Sequence, residues 1–96
     1  MKKFHNKETE ALFKRQKVHK WPIAVNKVGV RKLLLVYKGK SLDELRIYPG
    51  NRLEKLKGKV DTWSIRINEK YRIIFVWKDS KAWEIEVNKH DKKYGR

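Results

Sequence analysis

Arg66 and Arg72 flank Asn68-Glu69-Lys70 inside a stretch where apolar and polar residues alternate. A guanidinium is a planar fork that donates two hydrogen bonds to phosphate oxygens, so two of them side by side suit a phosphodiester. Cleaving RNA without a metal asks for more. A base must take the ribose 2′-OH proton, cations must hold the charge on the phosphate, and an acid must protonate the leaving 5′-oxygen. Lys57 offers a third cation or a proton, and Arg52 a further phosphate contact. His90 is the best acid or base by residue type, because its unperturbed pKa of about 6.5 lets it take and give a proton near neutrality. Lys55, Lys70, Lys92 and Lys93 extend the set as candidate RNA contacts. Each of these side chains reads equally as a solvated basic residue, and residue type alone leaves the choice open.

The elements around the arginines decide whether they meet. Trp63, Ile65 and Ile67 alternate with Ser64, Arg66 and Asn68, and Tyr71, Ile73, Phe75 and Trp77 alternate with Arg72, Ile74 and Val76, which predicts two strands. A third follows from Trp83, Ile85 and Val87, with Asp79-Ser80 as the turn before it. A one-residue slip would send every side chain to the opposite face. With Asn68-Glu69-Lys70 as the loop, Ile65 faces Ile73, Arg66 faces Arg72, and one face collects Trp63, Ile65, Ile67, Tyr71, Ile73, Phe75 and Trp77. Ser64, Arg66 and Arg72 then share the other. Two like charges directly opposed repel, so the pair is costly unless an anion lies between them. Trp63 and Trp77 fall on the buried face and are not expected to stack on bases.

Upstream, the pattern is helical. Asn6 suits the N-cap of a helix over Lys7 to about Lys14, after a short edge strand at Met1 to His5. Pro22 suits the first position of a second helix and Gly39 the residue after its end. Ala24, Val25, Val28, Leu35 and Val36 would form its apolar face, widened by Val30, Leu33, Leu34 and Tyr37. Ser41-Leu42-Asp43-Glu44 is a capping-box pattern and predicts another helical turn before Pro49-Gly50 breaks the chain.

The chain of 96 residues is enough for one domain, residues 1–96, and a formal charge of +15 goes beyond the roughly 2 to 8 charges that solubility asks for. Nucleic acid is the partner such a charge favours. The excess is not a detachable tail, since residues 1–51 carry 13 basic and 4 acidic side chains and residues 52–96 carry 13 and 7. Without cysteine there is neither a disulfide framework nor a thiolate metal site, and three scattered histidines argue against a bound metal. The longest apolar run, Leu33 to Tyr37, is too short to span a bilayer, and no secretion signal opens the chain, so a cytoplasmic protein without membrane contact is expected.

Three segments in this order and spacing resemble the HigB group of RelE-type bacterial toxins: Pro49-Gly50-Asn51-Arg52-Leu53-Glu54-Lys55-Leu56-Lys57-Gly58, Trp63-Ser64-Ile65-Arg66-Ile67-Asn68 and Tyr71-Arg72-Ile73-Ile74-Phe75. Lys7-Glu8-Thr9-Glu10-Ala11-Leu12-Phe13 and the stretch from Arg31-Lys32-Leu33 to Ser41-Leu42-Asp43-Glu44-Leu45-Arg46 follow the same pattern. The resemblance implies an α+β, RelE-like fold with two N-terminal helices packed on a small twisted antiparallel sheet. It implies a messenger-RNA endonuclease that acts on the translating ribosome, needs no cofactor, and is silenced by a cognate antitoxin. Such an antitoxin is usually of the HigA-like, helix-turn-helix kind, so operator DNA is touched only through the antitoxin complex.

Basic residues of the group that match Lys57, Arg66 and Arg72 bind and activate the scissile phosphate. The ending departs from the pattern, because HigB toxins commonly finish in Asp-Tyr-His and this chain reads Asn88-Lys89-His90-Asp91-Lys92-Lys93-Tyr94. An ungapped match puts Lys89, His90 and Asp91 on the triplet, and a shift of one places His90 on the histidine. The basic run before Tyr94 also looks like the broader RelE ending, which makes Tyr94 a catalytic candidate. Many HigB toxins carry a histidine where this chain has Leu53-Glu54-Lys55, so Glu54 is either a base or an ion-pair partner of Lys55 or Lys57. Two other functions stay open. A ParE-like toxin of this architecture would poison DNA gyrase through protein contacts, and a basic RNA-binding module would lack toxicity.

Overall fold

The computed structural model describes residues 1–89; His90, Lys92, Lys93 and Tyr94 lie outside the described residues. Helix α1, Lys7–Phe13, starts where Asn6 holds extended backbone and its side chain accepts the Thr9 N–H at 2.9 Å, with Glu8 and Glu10 placed at the positive end of the helix. The connection to helix α2, Ile23–Lys38, is latched by buried Asn26. Its Oδ1 accepts the Val18 N–H at 2.8 Å, while its Nδ2 reaches the carbonyls of Val18, Trp21 and Pro22. Pro22 precedes the helix rather than opening it, since its ψ of 153° is still extended.

The buried side of α2 differs from the expected one. Val25, Asn26, Gly29, Leu33 and Val36 face inward, whereas Ala24 and Leu35 are exposed. The cause is the approach of α1: a side-chain carbon on Gly29 would sit 3.0 Å from Leu12 Cδ2, so the helices pack at a glycine and the inward stripe turns toward it. Helix α3, Leu42–Arg46, is capped as its sequence predicts. Ser41 Oγ accepts the Glu44 N–H at 3.3 Å, and the Glu44 carboxylate reaches back to the Lys40 N–H at 3.2 Å.

A 3₁₀ turn, Pro49–Asn51, leads into an antiparallel sheet of β1 (Glu54–Lys55), β2 (Thr62–Arg66), β3 (Tyr71–Lys78) and β4 (Lys81–Lys89), in that spatial order. The register of β2 and β3 is the one that alternation demands, with Ile65 opposite Ile73 and Arg66 opposite Arg72. Asp79 and Ser80 form the tight turn to β4 with φ of 54° and 59°, the left-handed pair that matches strand twist. In β4 the pattern breaks. The two-residue turn sets Ala82 opposite Trp77, where it is buried, and beyond it Glu84 takes φ 51° at a ladder shift that brings Val87 opposite Ile73. Trp83 is half-buried, and its indole N–H donates to the Lys78 carbonyl.

The N-terminus makes a single parallel bridge, Phe4 to Ile85, in place of the expected edge strand. Val25, Leu33 and Val36 of α2 meet Ile65, Ile73, Phe75 and Ile85 in one core. Each fully buried side chain of this kind contributes about 1.5 to 3 kcal/mol. Thr9 Oγ1 ties α1 to the sheet by accepting the Val87 N–H at 2.9 Å. No helix among the described residues is long and apolar enough to cross a membrane.

Candidate nucleic-acid interface

Residues directly opposed in antiparallel strands project to the same face. The pairings therefore lay out a row across all four strands, Glu54, Ser64, Ile74 and Glu86, on the side away from the Ile65 and Ile73 core. The next row holds Arg66, Arg72 and Asn88. Arg72 is the most constrained member. Its Nε donates to Ser64 Oγ at 2.8 Å, its Nη2 donates to the Arg52 carbonyl at 2.8 Å, and the same Nη2 stands 3.4 Å from Glu54 Oε1. Only 12% of the side chain is exposed. Among the described residues, Nη1 has no hydrogen-bond partner, which leaves two N–H groups for an anion.

Burial is the main influence pushing the Arg72 guanidinium below its ordinary range; Glu54 opposes it, and Arg66 and Arg52 add to it. An arginine so placed keeps its charge. The result is a fixed, partly desolvated cation with two others beside it. Such an arrangement favours an anion more than the same charges do when fully hydrated.

The support beneath this row begins with Asn51. It is buried, and its Nδ2 donates to the Leu45 carbonyl at 3.0 Å, which anchors the 3₁₀ turn. Arg52 follows at φ 44°, a left-handed conformation that aims its carbonyl at Arg72. From α2, the Lys32 ammonium donates to the carbonyls of Arg66 and Gly50, joining the end of β2 to the turn. Burial first, then Arg31, Arg66 and Arg72, lower its pKa. The motif reading did not single out Lys32. A signal was present, because Lys32 sits three residues after Gly29 and four before Val36, on the inward side of the helix.

The remaining candidates are dispersed. Lys55 is opposite Trp63, so it belongs to the other face, with its ammonium 5.9 Å from the Trp63 ring centroid. Lys57 is exposed and lines a shallow groove with Lys55 and Lys59. Lys70 is exposed at the tip of the arginine hairpin, where its N–H donates to Asn68 Oδ1 at 2.9 Å. Glu54 pairs with Arg72, and with neither Lys55 nor Lys57. The fold thus gathers Arg52, Glu54, Ser64, Arg66 and Arg72.

Helices on one side of a four-stranded antiparallel sheet, with paired arginines on the other, fit the RelE-like class of toxins. Residues 2–90 match the RelE-like toxin of type II toxin-antitoxin systems, HigB. Over 89 residues the chain is 36% identical to Toxin HigB-1 of Vibrio cholerae serotype O1, spanning 91% of this chain and 94% of that one. It is also 32% identical over 72 residues to an uncharacterized protein of Haemophilus influenzae, spanning 74% of this chain and 71% of the other. The chain belongs to the HigB-like family of type II toxins. Membership in that family implies an antitoxin as its partner.

Proposed function

We propose that this toxin cuts messenger RNA on the translating ribosome by attack of a ribose 2′-OH on the adjacent phosphate. The observation that carries the reading is the direct opposition of Arg66 and Arg72, with Arg72 pinned by Ser64 and the Arg52 carbonyl while its Nη1 stays open. Two fixed guanidinium groups stabilise the charge that grows on the phosphate oxygens, and because they are already in place they need not reorganise as it grows. Metal ions are not required for that step. Arg52 and Lys70 are assigned to flanking phosphates, as are Lys92 and Lys93, and Lys57 to a further cationic contact. His90 is assigned as the acid for the departing 5′-oxygen, on its residue type. Tyr94 remains a candidate by resemblance.

A site with so few proton-transfer groups depends on its substrate being held in place. The ribosome, which fixes the codon and bends the strand, supplies that orientation. Purified protein mixed with translating ribosomes should produce fragments ending in a 2′,3′-cyclic phosphate and a 5′-hydroxyl, while free messenger RNA stays largely whole. Intact transcripts on stalled or slowed ribosomes would reject the reading.

A further inference from the structure

We propose that Tyr48 is a stacking platform for a nucleobase beside the scissile linkage. This rests on the nuclease reading above and extends it from the phosphate to a base. Proteins hold single strands with cations along the backbone and aromatic rings under the bases, and the arginine row supplies only the first of these.

Tyr48 is the aromatic residue with a ring to spare. It is 54% exposed, and among the described residues its ring meets no other ring and no cation. The other partly exposed rings are engaged. Tyr37 stacks on Phe4 with centroids 6.0 Å apart and has the Lys3 ammonium 5.0 Å from its own centroid. That ammonium is also 4.7 Å from the Trp83 centroid, Lys55 lies 5.9 Å from that of Trp63, and Trp77 packs edge-on against Phe75.

Position gives the free ring its meaning, because Tyr48 leads into the turn that braces both arginines. Its carbonyl accepts the Asn51 N–H at 2.9 Å, and buried Asn51 is bonded in turn to the Leu45 carbonyl. Two residues on, the Gly50 carbonyl shares the Lys32 ammonium with the carbonyl of Arg66; four residues on, the Arg52 carbonyl receives Arg72 Nη2. A residue two places from Gly50 has its Cα within about 7 Å of it. The turn is also uncovered, since a side-chain carbon on Gly50 would meet no atom within 4 Å. Tyr48 therefore stands beside the phosphate clamp with room for a base. In this turn only Ile47 joins it as an exposed large apolar side chain, which is too small a patch for a protein partner, whereas Arg52, Arg66 and Arg72 suit a nucleic-acid strand.

The test separates stacking from cutting. A message on stalled ribosomes carries 2′-deoxyribose at the attacking position of the mapped cut, which prevents cleavage, and 2-aminopurine on each side of that linkage in turn. Wild type and Tyr48→Phe should quench the 2-aminopurine on one side, and Tyr48→Ala should not. On the all-ribose message, the concentration of Tyr48→Ala for half-maximal rate should rise about 5- to 100-fold while the rate at saturation changes little. Cleavage by wild type without quenching, equal quenching by wild type and Tyr48→Ala, or a Tyr48→Phe as weak as Tyr48→Ala overturns the platform and leaves the nuclease reading intact. Quenching by a wild type that leaves the all-ribose message whole overturns the nuclease reading and leaves the stacking contact. A wild type that neither quenches nor cuts overturns both. Tyr48 is exposed and its carbonyl stays in the turn, so both variants should melt at the wild-type temperature.

Discussion

Arg72 shows how one side chain is fixed by its neighbours. The Ser64 hydroxyl, the Arg52 carbonyl and the Glu54 carboxylate take the Nε and Nη2 donors in fixed directions, and the N–H groups of Nη1 remain. An ammonium has three donors, so meeting those three partners would leave none for a phosphate. Arg72→Lys should therefore behave nearly as badly as Arg72→Ala, losing about 10²- to 10³-fold in cleavage rate although the charge is kept. Activity restored by lysine would mean that charge alone matters. At this scale the sequence was informative for arginine and poor for its neighbours. Alternation placed Arg66 and Arg72 together, whereas the use of a main-chain carbonyl at Arg52 has no signature in residue type. The misplaced partner of Glu54 has the same origin: short separation suggested Lys55 or Lys57, but β1 turns Glu54 toward Arg72 instead.

At the level of elements, strength of pattern decides what can be read. The β2 to β3 hairpin has five paired positions and a continuous apolar face, so a slip would bury charge, and its register follows from the sequence. Strand β1 has two residues and no periodicity to detect. The bulge at Glu84 is equally silent, because it needs left-handed backbone at a residue type that rarely shows it. Helix α2 misleads for a different reason. Its buried stripe includes Asn26, which is neutralised by four hydrogen bonds, and Gly29, which buys close contact with Leu12, and neither counts as apolar in a pattern search. The 3₁₀ turn carries its own prediction. Asn51→Ala removes the buried bond to the Leu45 carbonyl and should cost about 1 to 3 kcal/mol in denaturant unfolding, with a fall in cleavage as Arg52 loses its anchor. Unchanged stability would show that the turn is held by other contacts.

Across the whole molecule, the basic excess is general and the organised site is local. Ion pairs such as Lys14 with Glu10 and Lys20 with Glu8 are exposed, and pairs of that kind contribute about 0 to 1 kcal/mol, so they do not explain the charge. The proposed binding to RNA would account for it. Affinity for single-stranded RNA should fall with salt at a logarithmic slope of about −0.7 per phosphate contacted. Replacing Arg52, Arg66 and Arg72 together should make that slope shallower by about 1.4, since Arg66 and Arg72 share one phosphate and Arg52 meets another. A slope unmoved by the triple replacement would place RNA on another surface.

The most direct measurement is the rate of message cleavage on translating ribosomes for wild type, Arg66→Ala, Arg72→Ala and the double variant, with ends mapped at nucleotide level. The arginine clamp predicts a large loss for each single variant and a double variant little worse than Arg72→Ala, because the two forks grip one phosphate. Wild-type cleavage by the folded double variant would contradict it.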